Sequence, residues 1–190
     1  MLTKKDYILV SIIGFCFALF SIPIIKNLDL EILRGFSINF RSILFLVLFF
    51  TIFANLALYI ASVLNEKIKI ALQFAKFGAV GAFNTFLDWG VLNLLIMITG
   101  ISGGLAYSGF KSISFIIAAV SAYFWNKYWT FDSQQETNSE EIFNFSVVTG
   151  IGFVINVSLA SLIVFIFKGT TIVTPEQLAN LGAAAATVIS

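Results

Sequence analysis

Two ionisable side chains lie deep inside apolar segments of this sequence. Asp88 falls in the apolar run of residues 77–98, and Lys111 falls in the next run, residues 105–125. A charged side chain at the centre of a bilayer costs about 3 kcal/mol on insertion scales, so such a residue normally faces a partner, a cavity or a substrate pathway. The pattern predicts that an acid and a base face each other across a helical hairpin, at a site for a polar substrate or an ion.

Helix geometry allows these two groups to meet. Asp88 lies ten residues before the end of its run, and Lys111 lies six residues after the start of the next run. At 1.5 Å per residue these positions are about 15 and 9 Å below the same interface, a difference that a lysine side chain can span. The alternative is a static polar contact, in which Lys111 extends to the interface and Asp88 is protonated or bonded to Ser and Asn neighbours. Both interpretations stay open at the level of sequence.

A second polar group, Asn126 and Lys127, stands among tyrosines and tryptophans just after the fourth apolar run. Aromatic residues are enriched at the headgroup layer, so one interpretation is an aromatic belt with a lysine that reaches the interface. The other is that Lys127 and Asn126, with Lys76 on the same face of the membrane, bind a lipid phosphate, because basic pockets between helices hold lipid head groups. Asn84 and Asn156 complete the candidate substrate-binding set.

The elements that position these residues are membrane helices. The chain is 59% hydrophobic and 11% charged, with a mean hydropathy of +0.98, whereas soluble domains are about 25% charged. Five apolar runs approach or exceed the roughly 20 residues that span a bilayer as a helix. They are residues 7–25, 42–64, 77–98, 105–125 and 143–167. The sequence therefore predicts an all-α, polytopic transmembrane helical bundle.

A sixth helix begins near the end of the sequence. Thr174 followed by Pro, Glu and Gln is typical of a capped helix start. The apolar part that follows, up to Ser190, is about 20 Å long at 1.5 Å per residue, which is too short to cross a bilayer. We therefore expect the sequence to be truncated within its last helix. The predicted domains are an N-terminal transmembrane hairpin, residues 1–65, and a second transmembrane domain, residues 66–190.

The distribution of Lys and Arg predicts the orientation in the membrane. Six of the eleven basic residues lie at the N-terminus or in the segments just before residue 77 and just after residue 125, namely Lys4, Lys5, Lys67, Lys69, Lys76 and Lys127. Four lie on the opposite side, namely Lys26, Arg34, Arg41 and Lys168. Basic residues favour the cytoplasmic side. We predict a multi-pass protein of the cytoplasmic membrane with a cytoplasmic N-terminus.

Composition also excludes several classes of function. The chain has no His, so the commonest general base and metal ligand are absent. The sequence shows no paired carboxylates, metal cluster or phosphate loop of the kind that glycosyl or phosphoryl transfer needs. We therefore predict no enzyme, no metal and no cofactor. A net charge of +1 argues against binding to nucleic acid.

The second domain contains an internal repeat. Several residues of the third apolar run recur 68 positions later, with Asp88 matched by Asn156. The fourth run recurs 73 positions later, with Lys111 matched by Ala184. Both copies begin on the same predicted side, so we interpret the repeat as a parallel duplication of a two-helix hairpin. Any charged chemistry then belongs to the first copy.

The polar residues also occur in an order that resembles a known family. Residues 73–88 read QFAKFGAVGAFNTFLD, and residues 123–131 read YFWNKYWTF, with Lys111 between them. A Lys-Phe-x-x-Val-Gly opening, an intramembrane Asp and an Asn-Lys-x-Trp-x-Phe ending resemble the GtrA-like family of small membrane proteins of cell-surface polysaccharide synthesis. The resemblance covers about residues 73–190 and implies a four-helix domain with both ends cytoplasmic, here preceded by an extra transmembrane hairpin.

The resemblance implies a role with lipid-linked sugars. Members are expected to move polyprenyl-phosphate-linked sugars across the cytoplasmic membrane, or to assist the glycosyltransferases that make or use them. In our hypothesis Lys127, Asn126 and Lys76 collect the phosphate at the cytoplasmic side. Asp88 with Lys111 then offers the sugar hydroxyls or the phosphate a polar path.

Two alternatives accompany this hypothesis. One is a non-transporting membrane subunit that anchors or assists a membrane-associated glycosyltransferase. The other, proton-coupled efflux of small cations, is disfavoured because Lys111 would repel a cationic substrate. The expected partners are a polyprenyl-phosphate-linked sugar, membrane lipid, a glycosyltransferase and a second copy of the chain in a homodimer, with no nucleic acid.

Overall fold

The structure, a computed structural model, describes residues 2–28, 38–133 and 137–190. Within these ranges every regular element is a helix. The helices are α1 (Lys4–Leu28), α2 (Phe40–Leu64), α3 (Ala71–Thr99), α4 (Gly104–Trp125), α5 (Ser139–Ile166) and α6 (Pro175–Ile189), with a π-helical turn, Asn126–Thr130, directly after α4. Arg34, which entered the predicted orientation, lies outside the described residues.

Five of the described helices are long and apolar enough to cross a membrane, namely α1, α2, α3, α4 with its π-helical extension, and α5. The predicted all-α, polytopic bundle is therefore confirmed. The observed helices begin up to six residues before the predicted runs, as α3 does at Ala71. The reason is that polar residues at the interface continue a helix although they interrupt its apolar pattern.

Helix α6 begins at the cap that the sequence predicts. The Thr174 hydroxyl accepts a hydrogen bond from the Gln177 backbone N–H at 3.2 Å, and the Gln177 side-chain carbonyl accepts one from the Thr174 N–H at 3.0 Å. Pro175 occupies the first helical position, where a missing N–H leaves no hydrogen bond unmade. The cap fixes the direction in which α6 enters the bundle, where its alanines 179, 183 and 186 are fully buried.

A close backbone approach joins α5 to α6. A Cβ atom at Gly182 would lie 2.9 Å from the backbone oxygen of Ala160 and 3.3 Å from the hydroxyl of Tyr107. Tyr107, on α4, is fully buried and donates a hydrogen bond to the backbone oxygen of Ala179 at 2.9 Å. Because only glycine leaves this space, the three helices can form one apolar cluster.

Helix α1 lies along α3. Near the end of α1 the Asn27 amide donates to the side-chain oxygen of Asn93 at 2.9 Å and to its backbone oxygen at 2.8 Å. In the middle, a Cβ atom at Gly90 would lie 2.5 Å from Cβ of Phe20. The first hairpin is thus held against the second domain by a buried amide contact and by close packing.

The connections between the helices define two ends of the bundle. Lys76, at the start of α3, pairs with Asp6, at the start of α1, and Lys127, beyond α4, pairs with Glu141, at the start of α5. We call this the Lys127 end. The opposite end carries the α3–α4 and α5–α6 connections, and we call it the Lys168 end. Helices α3 and α5 both start at the Lys127 end, so the two hairpins run in parallel.

Candidate functional site

Asp88 and Lys111 form a buried ion pair between α3 and α4. The Lys111 ammonium donates a hydrogen bond to Oδ2 of Asp88, and the Ser114 hydroxyl donates to Oδ1 at 2.6 Å. Lys111 is fully buried, and Asp88 is 6% exposed. Ser114 lies three residues after Lys111 and therefore on the same face of α4. The structure thus brings the two predicted residues together, and Lys111 does not extend to the interface.

A cavity of about 200 Å³ opens beside this ion pair, between α3, α4, α5 and α6. We call it the Asp88 cavity. Asn84, one helical turn before Asp88, lines it, and so does Asn156, the repeat counterpart of Asp88. Lys111 is not part of this lining, and its ammonium is paired with Oδ2 of Asp88.

Two residues that line the Asp88 cavity carry side-chain oxygens without a hydrogen-bond donor within the described part of the chain. The side-chain oxygens of Asn84 and Asn156 are buried and accept no hydrogen bond from any described residue. Their amide nitrogens are engaged, with the Val80 backbone oxygen at 2.8 Å and with the Ser190 hydroxyl at 3.0 Å. A buried acceptor without a donor costs about 1–3 kcal/mol. The lining therefore favours a ligand that donates hydrogen bonds, such as a group of sugar hydroxyls.

A second cavity, of about 470 Å³, lies at the Lys127 end. We call it the Lys127 cavity. Its lining includes Asn126, Lys127 and Glu141. The Lys127 ammonium donates to Glu141 at 2.7 Å, to the Thr137 hydroxyl at 2.8 Å and to the Tyr123 hydroxyl at 3.4 Å. Lys127 is only 6% exposed, so it is a buried, paired cation.

The π-helical turn positions Asn126 and Lys127, which line this cavity. A hydrogen bond from the Phe131 N–H to the Asn126 backbone oxygen at 2.9 Å closes the turn. Single π-helical turns are frequent at functional sites because the extra residue per turn redirects the side chains that follow. Here Lys127 and Trp129 are both buried, while the side-chain oxygen of Asn126 accepts no hydrogen bond from the described residues.

The start of α5 positions Glu141, the carboxylate that pairs with Lys127. The side-chain oxygen of Asn138 accepts a hydrogen bond from the Glu141 backbone N–H at 2.8 Å, which caps the helix. Glu141 therefore lies in the first turn, where a carboxylate is favoured by the helix dipole and faces Lys127.

The two cavities share one lining residue. Ala122, on α4 one turn before Asn126, contributes to both the Lys127 cavity and the Asp88 cavity. The two cavities therefore adjoin along α4, and the small side chain of Ala122 lies between them.

Lys76 lies apart from both cavities. Its ammonium is 2.5 Å from Oδ1 of Asp6 and 5.7 Å from the centroid of the Trp129 ring. The same carboxylate oxygen accepts a hydrogen bond from the Trp129 indole at 2.9 Å. The structure does not bring Lys76 together with Asn126 and Lys127, because a carboxylate from α1 engages its ammonium.

The sequence gives only a weak signal for the two partner carboxylates, Asp6 and Glu141. Each occupies the first turn of a helix, on the membrane side that also carries its lysine. Charge complementarity at one membrane face was the available clue, but a sequence does not say which helices are neighbours. Among the described residues, no group of three or more His, Cys, Asp or Glu side chains could hold a metal ion.

The fold and the site define a class, a polytopic membrane protein whose parallel helical hairpins enclose polar cavities. Residues 76–190 match the GtrA/DPMS transmembrane domain. The chain belongs to this family, which comprises membrane flippases and subunits of processes that use glycosyl carrier lipids. The match begins at Lys76 and includes both cavities. No match is found among curated proteins or among solved structures.

Proposed function

We propose that this protein translocates polyprenyl-phosphate-linked sugars across the cytoplasmic membrane, for cell-surface polysaccharide synthesis or glycosylation. One observation carries the proposal: a cavity with an ammonium group and a cavity with unpartnered oxygen acceptors meet at Ala122. A lipid-linked sugar carries the complementary groups, a phosphate anion and several hydroxyl donors.

The Lys127 cavity would receive the phosphate. Lys127 is paired with Glu141, so an incoming phosphate exchanges one anion for another and leaves the ammonium paired throughout. The 35% exposure of the Glu141 side chain supports this exchange, because the displaced carboxylate can turn to water. We place the Lys127 end in the cytoplasm on the basis of the Lys and Arg distribution. Lys76 is not part of this step, because Asp6 holds it elsewhere.

The Asp88 cavity would receive the sugar. Hydroxyl groups of the sugar would donate to the side-chain oxygens of Asn84 and Asn156, which lack donors among the described residues. Lys111 balances the charge of Asp88, so the cavity offers a neutral sugar a polar surface with no net charge. At about 200 Å³ the cavity is small, and helices α5 and α6 would have to move apart for a sugar to pass.

The test is transport by the full-length chain in proteoliposomes with a fluorescent polyprenyl-phosphate sugar. We expect Asn84→Leu and Asn156→Leu each to slow translocation about two- to tenfold, the effect of one lost hydrogen bond. Asn55→Leu is the matched control, because Asn55 is a membrane-helix amide outside both cavities that donates to Ser11 at 2.9 Å. Undiminished translocation by both cavity variants would overturn the role of the Asp88 cavity, and no translocation by the unmodified chain would overturn the proposal.

The alternative is a non-transporting subunit that anchors or assists a membrane-associated glycosyltransferase. Vesicles containing the folded protein would then show no translocation at all. Co-purification with a glycosyltransferase, together with a gain in that enzyme's activity on the lipid substrate, would replace our proposal by this one.

A further inference from the structure

A third cavity, of about 950 Å³, lies at the Lys168 end of the bundle. We call it the Lys168 cavity. The α3–α4 connection, the second half of α5, the α5–α6 connection and the start of α6 surround it. It shares no lining residue with the Asp88 cavity or the Lys127 cavity. Its volume is within the range of about 300–1,000 Å³ that small-molecule sites have, so it is a separate compartment of sufficient size for a ligand.

The lining combines an apolar wall with hydroxyl groups and one ammonium group. The apolar side chains are Leu105, Leu162, Val164, Phe165, Val173 and Leu178. The hydroxyl groups are those of Ser102, Ser108, Ser158, Ser161 and Thr170. Ser108 and Ser161 share a hydrogen bond at 2.7 Å, and Ser102 donates to Glu176 at 3.4 Å.

Lys168 differs from the other lysines discussed above. Lys5, Lys76, Lys111 and Lys127 each form an ion pair with a carboxylate. Lys168 lines its cavity and forms no ion pair within the described part of the chain. Lys168 is exposed, so its ammonium is open to an anion at the mouth of the cavity.

The wall of the cavity opens towards the bilayer. Leu105 is 91% exposed and Phe165 is 76% exposed. Both belong to helices that are long and apolar enough to cross a membrane. A hydrocarbon chain can therefore enter from the lipid phase, while a head group stays at the interface with Lys168.

From this arrangement we propose that the Lys168 cavity binds an anionic, phosphate-headed lipid at the membrane face opposite the Lys127 cavity. The phosphate pairs with the Lys168 ammonium and accepts hydrogen bonds from nearby hydroxyls, and one acyl or prenyl chain lies against the apolar wall. The inference is independent of translocation, because a lipid can occupy this cavity in a transporter or in a subunit.

The experiment measures lipid binding to the purified full-length chain in neutral detergent by native mass spectrometry. The probes are phosphatidylglycerol, a short polyprenyl phosphate, phosphatidylcholine and inorganic phosphate. We expect the two anionic lipids to bind, and the tighter of them identifies the source of the head group. Inorganic phosphate binding as tightly as the lipids would overturn the proposal, as would phosphatidylcholine binding as tightly as phosphatidylglycerol.

Variants assign the binding to this cavity. Lys168→Gln should weaken the binding of the anionic lipids about tenfold, through loss of a charge-assisted hydrogen bond. Lys168→Arg should retain that binding. Lys26→Gln is the matched control, because Lys26 lies in the last turn of α1 at the same end of the bundle and outside the cavity lining. Equal loss in Lys26→Gln and Lys168→Gln would overturn the assignment.

A second variant tests the apolar part without altering charge. Ser158 lines the cavity from α5, so Ser158→Phe should fill space that the lipid chain needs and reduce binding while Lys168 is intact. Lys127→Gln should leave this binding unchanged, which separates it from phosphate binding at the other end. This variant is assayed with phosphatidylglycerol, because a polyprenyl phosphate would also bind at Lys127 in the proposed function. Full lipid binding by Ser158→Phe would show that the chain lies elsewhere.

Discussion

Asp88 and Asn156 occupy corresponding positions of the two hairpin repeats and line the same cavity. Only Asp88 has a cationic partner, because Ala184 stands where the first repeat has Lys111. The duplication therefore places one balanced ion pair and one uncharged amide around a common space. This asymmetry gives the cavity polar character without net charge, which suits a neutral polar ligand.

Removing Lys111 alone should destabilise the protein more than removing both members of the ion pair. Lys111→Met leaves the Asp88 carboxylate buried with Ser114 as its remaining partner, at a cost of about 3–5 kcal/mol. Asp88→Asn/Lys111→Met leaves no buried charge, so most of that loss should be regained. The free energy of unfolding, measured in detergent for both single variants and the double variant, gives the coupling energy. Strictly additive effects would show that the two side chains do not stabilise each other.

Glu141→Gln should strengthen the binding of a phosphate-headed ligand to the Lys127 cavity. The carboxylate of Glu141 holds the Lys127 ammonium at 2.7 Å, so removing its charge removes the competing anion. We expect a severalfold lower dissociation constant for a fluorescent polyprenyl phosphate, measured by anisotropy, and a higher one for Lys127→Gln.

Glu140→Gln is the control for this change. Glu140 lies beside Glu141 in the first turn of α5, carries the same charge and is exposed. It forms no ion pair within the described part of the chain. Equal effects of the two variants would mean that general electrostatics, rather than release of Lys127, governs the affinity.

Local chemistry and helix spacing were sufficient to predict part of this structure. The cap at Thr174 depends on residues three positions apart, and the contact of Asp88 with Lys111 depends on depth along two consecutive helices. The first follows from helix-capping chemistry and the second from the helical rise and the cost of a buried charge, so both could be predicted from the sequence.

Contacts between distant helices could not be predicted in this way. Asp6 reaches Lys76 and Trp129 only because α1 lies against α3, and no local pattern specifies that neighbour. The Lys168 cavity is likewise formed by two connections whose sequences, taken separately, resemble ordinary turns. Tertiary arrangement, rather than residue type, creates both features.

Asp6→Asn should destabilise the contact between the first hairpin and the second domain. Asp6 is 3% exposed and bonds Lys76, Trp129 and Thr3, so its loss leaves Lys76 without a counter-ion, at a cost of about 3 kcal/mol. The measurement is the free energy of unfolding in detergent.

Asp132→Asn is the matched control for Asp6→Asn. It breaks the pair with Lys5, in which the two side chains are 57% and 71% exposed, and should cost less than about 1 kcal/mol. Equal losses in both variants would contradict a specific role for the buried carboxylate.

Gly182→Ala should destabilise the protein by about 1–3 kcal/mol, because the new methyl group overpacks the contact between α5 and α6. Its Cβ would lie 2.9 Å from the backbone oxygen of Ala160.

Gly109, the counterpart of Gly182 in the first repeat, has nothing within 4 Å of the same position. Gly109→Ala should therefore be neutral or stabilising, by up to about 1 kcal/mol from helix propensity. Thermal unfolding in detergent compares the two, and similar stabilities would show that the α5–α6 contact tolerates a methyl group. A loss confined to Gly182 would instead show that a tight backbone contact joins α5 and α6, the helices that contribute Asn156 and Thr187 to the Asp88 cavity.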